Sequence, residues 1–92
     1  TQTNGAYIKV PDAEILNAIA LLGKEGIFAE PAAATATAGL FKAMRDGLLS
    51  SDDPVLVLNT GSGLKDVKAA EQAVTPAPII EPSLSALKKV LN

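Results

Sequence analysis

Ninety-two residues with a net charge of −2 and a pI near 4.9 make one small domain or part of a larger one, and exclude the basic footprint of a nucleic-acid binder. Cysteine and histidine are absent, which excludes a disulfide framework and thiolate chemistry and argues against a transition-metal site. Only 3% of the residues are aromatic, so the core must be aliphatic and alanine-rich, thin for an independent fold and suited to helices packed on a larger sheet.

Residues 1–5 lack the basic region and apolar core of a signal peptide, and no apolar run reaches bilayer-spanning length. The sequence opens without methionine, Met44 being its only one, as a proteolytic product or a trimmed piece would. Freedom from cysteine fits a reducing, cytoplasmic location.

Residues 5–10 lean towards β-structure and end at Pro11. Asp12 suits the N-cap of a helix predicted over 12–23, with Ile15, Leu16, Ile19 and Leu22 on one face and Gly23 as its stop. Lys24 and Glu25 fall in a solvated turn, and residues 26–29 read as an extended entry to the next element. Pro31 suits a first helical position, and the predicted helix 32–46 exits at Gly47. Its first half is built of alanine, threonine and glycine and can approach a sheet or a cofactor closely; Leu40, Phe41 and Met44 form its bulky contact surface.

A polar loop is predicted over 50–54. The run Val55, Leu56, Val57, Leu58 has no polar alternation, as expected of a central parallel strand covered on both faces. One or two helical turns fit 68–74. Prolines 76, 78 and 82 forbid regular helix and predict an extended crossing. Ser83 caps a last helix whose Leu84, Leu87, Val90 and Leu91 share a face. That face suits docking on a parent domain better than on a membrane, because no strongly basic face opposes it. Strand, helix, helix, strand, loop, helix is an α/β order.

The chemistry concentrates at Asn59, Thr60, Gly61, Ser62, Gly63, Leu64, Lys65 and Asp66, directly after the predicted strand. Glycines there permit a sharp turn and close approach to a ligand, while Thr60 and Ser62 offer hydroxyls. The third glycine of the dinucleotide fingerprint is missing, as is the glycine-lysine-hydroxyl ending of a phosphate loop. A hydroxyl aimed at a neutral ring atom remains, beside the plainer reading of the glycines as turn punctuation. Glu30 sits among Phe28, Ala29, Ala32 and Ala33; it is either a helix N-terminal charge or a partly buried carboxylate needing a partner, a ligand or the backbone at Gly61. The seven lysines read as surface charge, Lys65 having Asp66 beside it as a local partner.

Residues 25–34 (Glu-Gly-Ile-Phe-Ala-Glu-Pro-Ala-Ala-Ala) followed by 56–66 (Leu-Val-Leu-Asn-Thr-Gly-Ser-Gly-Leu-Lys-Asp) resemble the carboxy-terminal third of the threonine synthase family, fold-type II pyridoxal-phosphate enzymes like threonine dehydratase and cysteine synthase. The resemblance is close over residues 5–66 and looser beyond. Many members carry histidine where this chain has Ser62.

The resemblance implies an α/β large domain, with short strands and flanking helices on a mainly parallel sheet. Residues 1–74 would be the carboxy-terminal part of the catalytic domain, and 75–92 the crossing segment and last helix. It implies pyridoxal 5'-phosphate as cofactor, with Thr60 hydrogen-bonding the pyridine nitrogen and Glu30, Gly61, Ser62 and Gly63 walling the site. A hydroxyl partner keeps that nitrogen largely unprotonated and moderates electron withdrawal. The implied reaction turns O-phosphohomoserine and water into threonine and phosphate, a carbon–oxygen lyase chemistry, in a homodimer. The Schiff-base lysine and the phosphate-binding loop lie outside these residues. The chain would therefore contribute no catalytic residue, bind no metal, nucleic acid or membrane, and need the remainder of the catalytic chain to act on its amino-acid substrate. A threonine or serine dehydratase, or a non-catalytic interaction domain, are the other readings.

Overall fold

A computed structural model describes residues 2–92. Four helices follow one another: α1 (Asp12–Lys24), α2 (Pro31–Arg45), α3 (Val67–Ala73) and α4 (Leu84–Leu91), with a 3-10 turn, Gly63–Lys65, before α3. The helices fall where periodicity and capping residues predict them. The sheet does not: among the described residues neither 5–10 nor 55–58 forms a strand, and the one backbone bridge outside the helices joins Ala29 and Ser62 in antiparallel fashion. A strand needs a neighbour to take its backbone N–H and C=O groups. The two segments find none in each other. Ala6, Ile8 and the run 55–58 instead line an open groove of about 460 Å³ with Ala36, Gly39 and Leu40 of α2.

Helix termini refine the sequence reading in two places. Pro11, not Asp12, is the N-cap residue of α1, and it accepts Glu14 N–H (3.0 Å) and Ile15 N–H (3.3 Å) at its carbonyl. Asp12 and Glu14 lie in the first turn, where they complement the helix dipole. Gly23 does not end α1, which runs on through Lys24. Gly26 does, at φ 81°, with Ile27 N–H reaching Leu22 O (2.9 Å) and Gly26 N–H reaching Gly23 O (3.0 Å). That double bond pattern is a Schellman motif. It recurs at α2, where Gly47 has φ 75° and Leu48 N–H reaches Ala43 O (2.9 Å). Two glycines three residues apart should therefore answer oppositely to alanine. Gly26→Ala forces a Cβ into left-handed backbone and is expected to destabilise the protein by about 1 kcal/mol. Gly23→Ala meets open space inside a helix and is expected to stabilise it by about 0.5–1 kcal/mol. Denaturant unfolding of the intact protein reads both signs.

α1 and α2 run antiparallel, tied at one end where Arg45 Nη2 donates to both Glu14 carboxylate oxygens (2.8 and 2.9 Å). Their contact is made by small side chains. Ala18 and Ile19 of α1 meet Ala33, Ala34 and Ala38 of α2, with Ala29 between them, and Ala69, Ala70 and Ala73 of α3 pack alongside. The bulky surface predicted for α2 is not its contact face: Phe41 and Met44 are each 41% exposed, whereas Ala34 is fully covered. Alanine wins the interface because two helix backbones can approach closely only over small side chains, and dispersion rewards that closeness.

Ser83 caps α4 as predicted, its Oγ accepting Ala86 N–H (3.2 Å). Leu84, Leu87, Val90 and Leu91 stay exposed on it. The radius of gyration is 17.4 Å, against about 12 Å for a compact domain of this length. The helix pair with α3 is thus the packed part, from which the crossing segment and α4 extend.

Candidate functional site

The loop after residue 58 is held by a three-residue antiparallel pairing. Gly63 N–H donates to Phe28 O (2.8 Å) and Glu30 N–H donates to Gly61 O (3.1 Å), flanking the Ala29–Ser62 bridge. Phe28 therefore stands opposite Gly63, and Glu30 opposite Gly61. Side chains alternate along an extended segment, so Phe28 and Glu30 share one face and the two glycines lie on it across the ladder. Ala29 turns to the other face and is buried against the helix core.

This register explains the glycines differently from the sequence. Neither Gly61 nor Gly63 has a positive φ, so no turn demands them. Space does. A Cβ on Gly61 would overlap the Glu30 side chain at Oε1, Cδ and Cγ, and one on Gly63 would overlap the Phe28 ring. The close approach that glycine permits here is by the chain's own side chains.

Around this pairing the remaining polar groups have local work. Ser62 Oγ accepts Leu64 N–H (3.3 Å) and opens the 3-10 turn. Asp66 Oδ1 accepts Ala69 N–H (3.1 Å) and caps α3. Asp66 is thus not the partner of Lys65, as adjacency suggested. Lys65 Nζ lies 3.8 Å from Glu30 Oε1 instead. Lys65 is 67% exposed there, so the ion pair is worth no more than about 1 kcal/mol. Glu30, at 21%, is held mainly by shape.

Thr60 stands at the edge of this arrangement. It is exposed, and among the described residues its side chain makes no hydrogen bond within the chain. A hydroxyl in that state can donate or accept. The structure thus brings Glu30, Gly61 and Gly63 together, engages Ser62 locally, and leaves Thr60 open. Sequence reasoning missed Phe28 and gave Lys65 the wrong partner. A signal for Phe28 existed: Phe28 and Glu30 have the same two-residue spacing as Gly61 and Gly63, large positions facing empty ones. Among the described residues no three acidic, histidine or cysteine side chains gather to hold a metal, and no helix is long and apolar enough to cross a membrane.

Comparison with known proteins places these residues. Residues 1–61 match the family model described as pyridoxal-phosphate dependent enzyme. Over 92 residues the chain is 42% identical to a threonine synthase of Methanocaldococcus jannaschii, a match covering 98% of this chain and 23% of that protein. It is 40% identical to threonine synthases of Mycobacterium tuberculosis over 82 residues (85% of this chain) and of Halalkalibacterium halodurans over 83 residues (89%), again covering 23% of each relative. The chain therefore spans under a quarter of the length of these curated relatives. With two thirds of its length inside the family model, and its glycine loop inside the longest of these matches, the chain belongs to the pyridoxal-phosphate-dependent enzymes and resembles threonine synthases among them.

Proposed function

We propose that this chain is the carboxy-terminal part of a threonine synthase and forms the wall of a pyridoxal-phosphate site that faces the ring nitrogen. The observation that carries the reading is the state of Thr60: an exposed hydroxyl without a hydrogen-bond partner among the described residues, at the mouth of a loop pinned on its far side by residues 28–30. The donor set fits the group. A pyridine nitrogen accepts a hydrogen bond from a neutral hydroxyl, and the nearest acid, Glu30, is turned over Gly61 towards Lys65. When bound, pyridoxal phosphate supplies the electron sink for elimination and replacement at the substrate's β and γ carbons.

The chain's own residues orient and enclose. Thr60 Oγ1 would donate to the ring nitrogen and leave it unprotonated, which would favour the replacement route over alternatives. Glu30 lies over Gly61 and Phe28 over Gly63, filling the space above the two glycines. The small residues of the groove over α2 let the remaining polypeptide of the catalytic domain pack closely. The lysine that carries the cofactor, and the donors for its phosphate, come from that remaining polypeptide. The 92 residues alone are inactive, and the whole protein works as a cytoplasmic homodimer.

The reading also rests on where the similarity runs. The broad family match ends at residue 61, whereas the threonine synthase match continues through Gly63, Leu64, Lys65 and Asp66. The test is phosphate release from O-phosphohomoserine by the full-length protein. Stoichiometric phosphate and threonine are expected. Ammonia released from threonine, with no phosphate from O-phosphohomoserine, would make it a dehydratase and overturn the assignment.

A further inference from the structure

The ring-nitrogen reading leaves a question that the geometry answers: what fixes the place of Thr60, an exposed residue whose side chain makes no hydrogen bond among the described residues. Its backbone neighbour is Gly61, whose carbonyl accepts Glu30 N–H, and the space over Gly61 is filled by the Glu30 side chain from Cγ to Oε1. One residue thus grips Gly61 twice, through its amide and through its side chain. Slipping the pairing by one residue would set Glu30 against Ser62, a residue with a Cβ in the way, and Phe28 against Leu64. The glycine pattern accepts the carboxylate and the ring in one register only.

We propose that Glu30 is a positioning residue whose side chain, seated over Gly61, locks the register of residues 28–30 against 61–63 and thereby sets where Thr60 presents its hydroxyl. The proposal rests on the reading of Thr60 given above and adds that Glu30 acts through the loop, not on the substrate. Shape carries the lock, because the partner cation Lys65 is largely solvated and its contact is long. Glutamine, which keeps the shape, therefore replaces Glu30 well, and alanine does not.

The experiment is a mutant cycle in the full-length protein, using Gly61→Ala, Glu30→Ala, the double variant, Glu30→Gln and Thr60→Ala. In the cofactor-free protein, Gly61→Ala is expected to lower the melting temperature by about 1–2 °C. In the double variant most of that loss should disappear, since the new Cβ occupies the space that Glu30 has vacated. In the loaded protein, Gly61→Ala and Glu30→Ala should each shift the cofactor absorption band in the direction Thr60→Ala shifts it. Each should lower kcat about tenfold to a hundredfold with little change in KM, while Glu30→Gln stays near wild type. Strictly additive melting losses, or a silent Gly61→Ala, would overturn the lock. Coupling between residues 30 and 61 together with an unmoved band in Thr60→Ala would leave the lock standing and overturn its tie to Thr60. A Glu30→Gln variant as impaired as Glu30→Ala would also count against it, because charge would then carry the effect.

Discussion

Thr60→Ala in the full-length protein is expected to lower turnover about fivefold to a hundredfold while the cofactor stays covalently attached. The magnitude follows from one lost hydrogen bond. Removing the donor leaves an acceptor without a partner in an enclosed site, which costs about 1–3 kcal/mol. At 1.4 kcal/mol per factor of ten, that is the stated range. Attachment survives because the covalent link and the phosphate contacts lie outside these 92 residues on the proposed reading. Thr60→Ser keeps the hydroxyl and should retain most of the turnover. Steady-state phosphate release and the absorption spectrum read the two parts separately. An unchanged rate and an unchanged spectrum in the alanine variant would remove Thr60 from the site.

Ala34→Leu should have the largest effect on stability. Ala34 is fully covered at the crossing of α1 and α2, with Ala33 and Ala38 hardly more accessible. Three extra carbon atoms there must push the helices apart, and overpacking of this kind costs about 1–3 kcal/mol. The loss should appear as a lower melting temperature of the intact protein. Ala13→Leu, on an exposed position of α1, is the matched control and should stay within about 0.5 kcal/mol of wild type. Equal effects at the two positions would mean that the alanine face does not hold the helix pair.

The helices were legible because their information is local. Pro31 at a first helical position, Gly47 at an exit, Ser83 as a cap and the spacing of Ile15, Leu16, Ile19 and Leu22 each act within a few residues. The sequence reading stops α1 at Gly23, which proves to be helical; the stop at Gly26 depends on Ile27 N–H reaching the carbonyl of Leu22, a contact that the presence of a glycine does not reveal. The sheet was read from the apolar character of 55–58, yet a strand also requires a partner, and apolar residues do not supply one. In these residues the run lines a groove with α2 and takes no regular structure.

At the site, the structure revises the reasons for which the sequence singled out this loop and Glu30. Gly61 and Gly63 looked like residues chosen for backbone freedom. They are instead vacant positions opposite Phe28 and Glu30, some thirty residues away, and a vacancy becomes visible only once the register is known. Lys65 illustrates the same limit. Its neighbour Asp66 is consumed in capping α3, which frees the lysine to reach across the pairing to Glu30. The role given to Thr60 came from resemblance to a family. The structure contributes its exposure and the pinned loop that carries it.

The direct measurement is a crystal structure of the full-length protein with pyridoxal phosphate bound. Thr60 Oγ1 is expected within hydrogen-bonding distance of the pyridine nitrogen, about 2.7–3.0 Å, with the Glu30 carboxylate over Gly61 and off the ring nitrogen. A ring nitrogen met by a carboxylate, or by any side chain other than Thr60, would contradict the account.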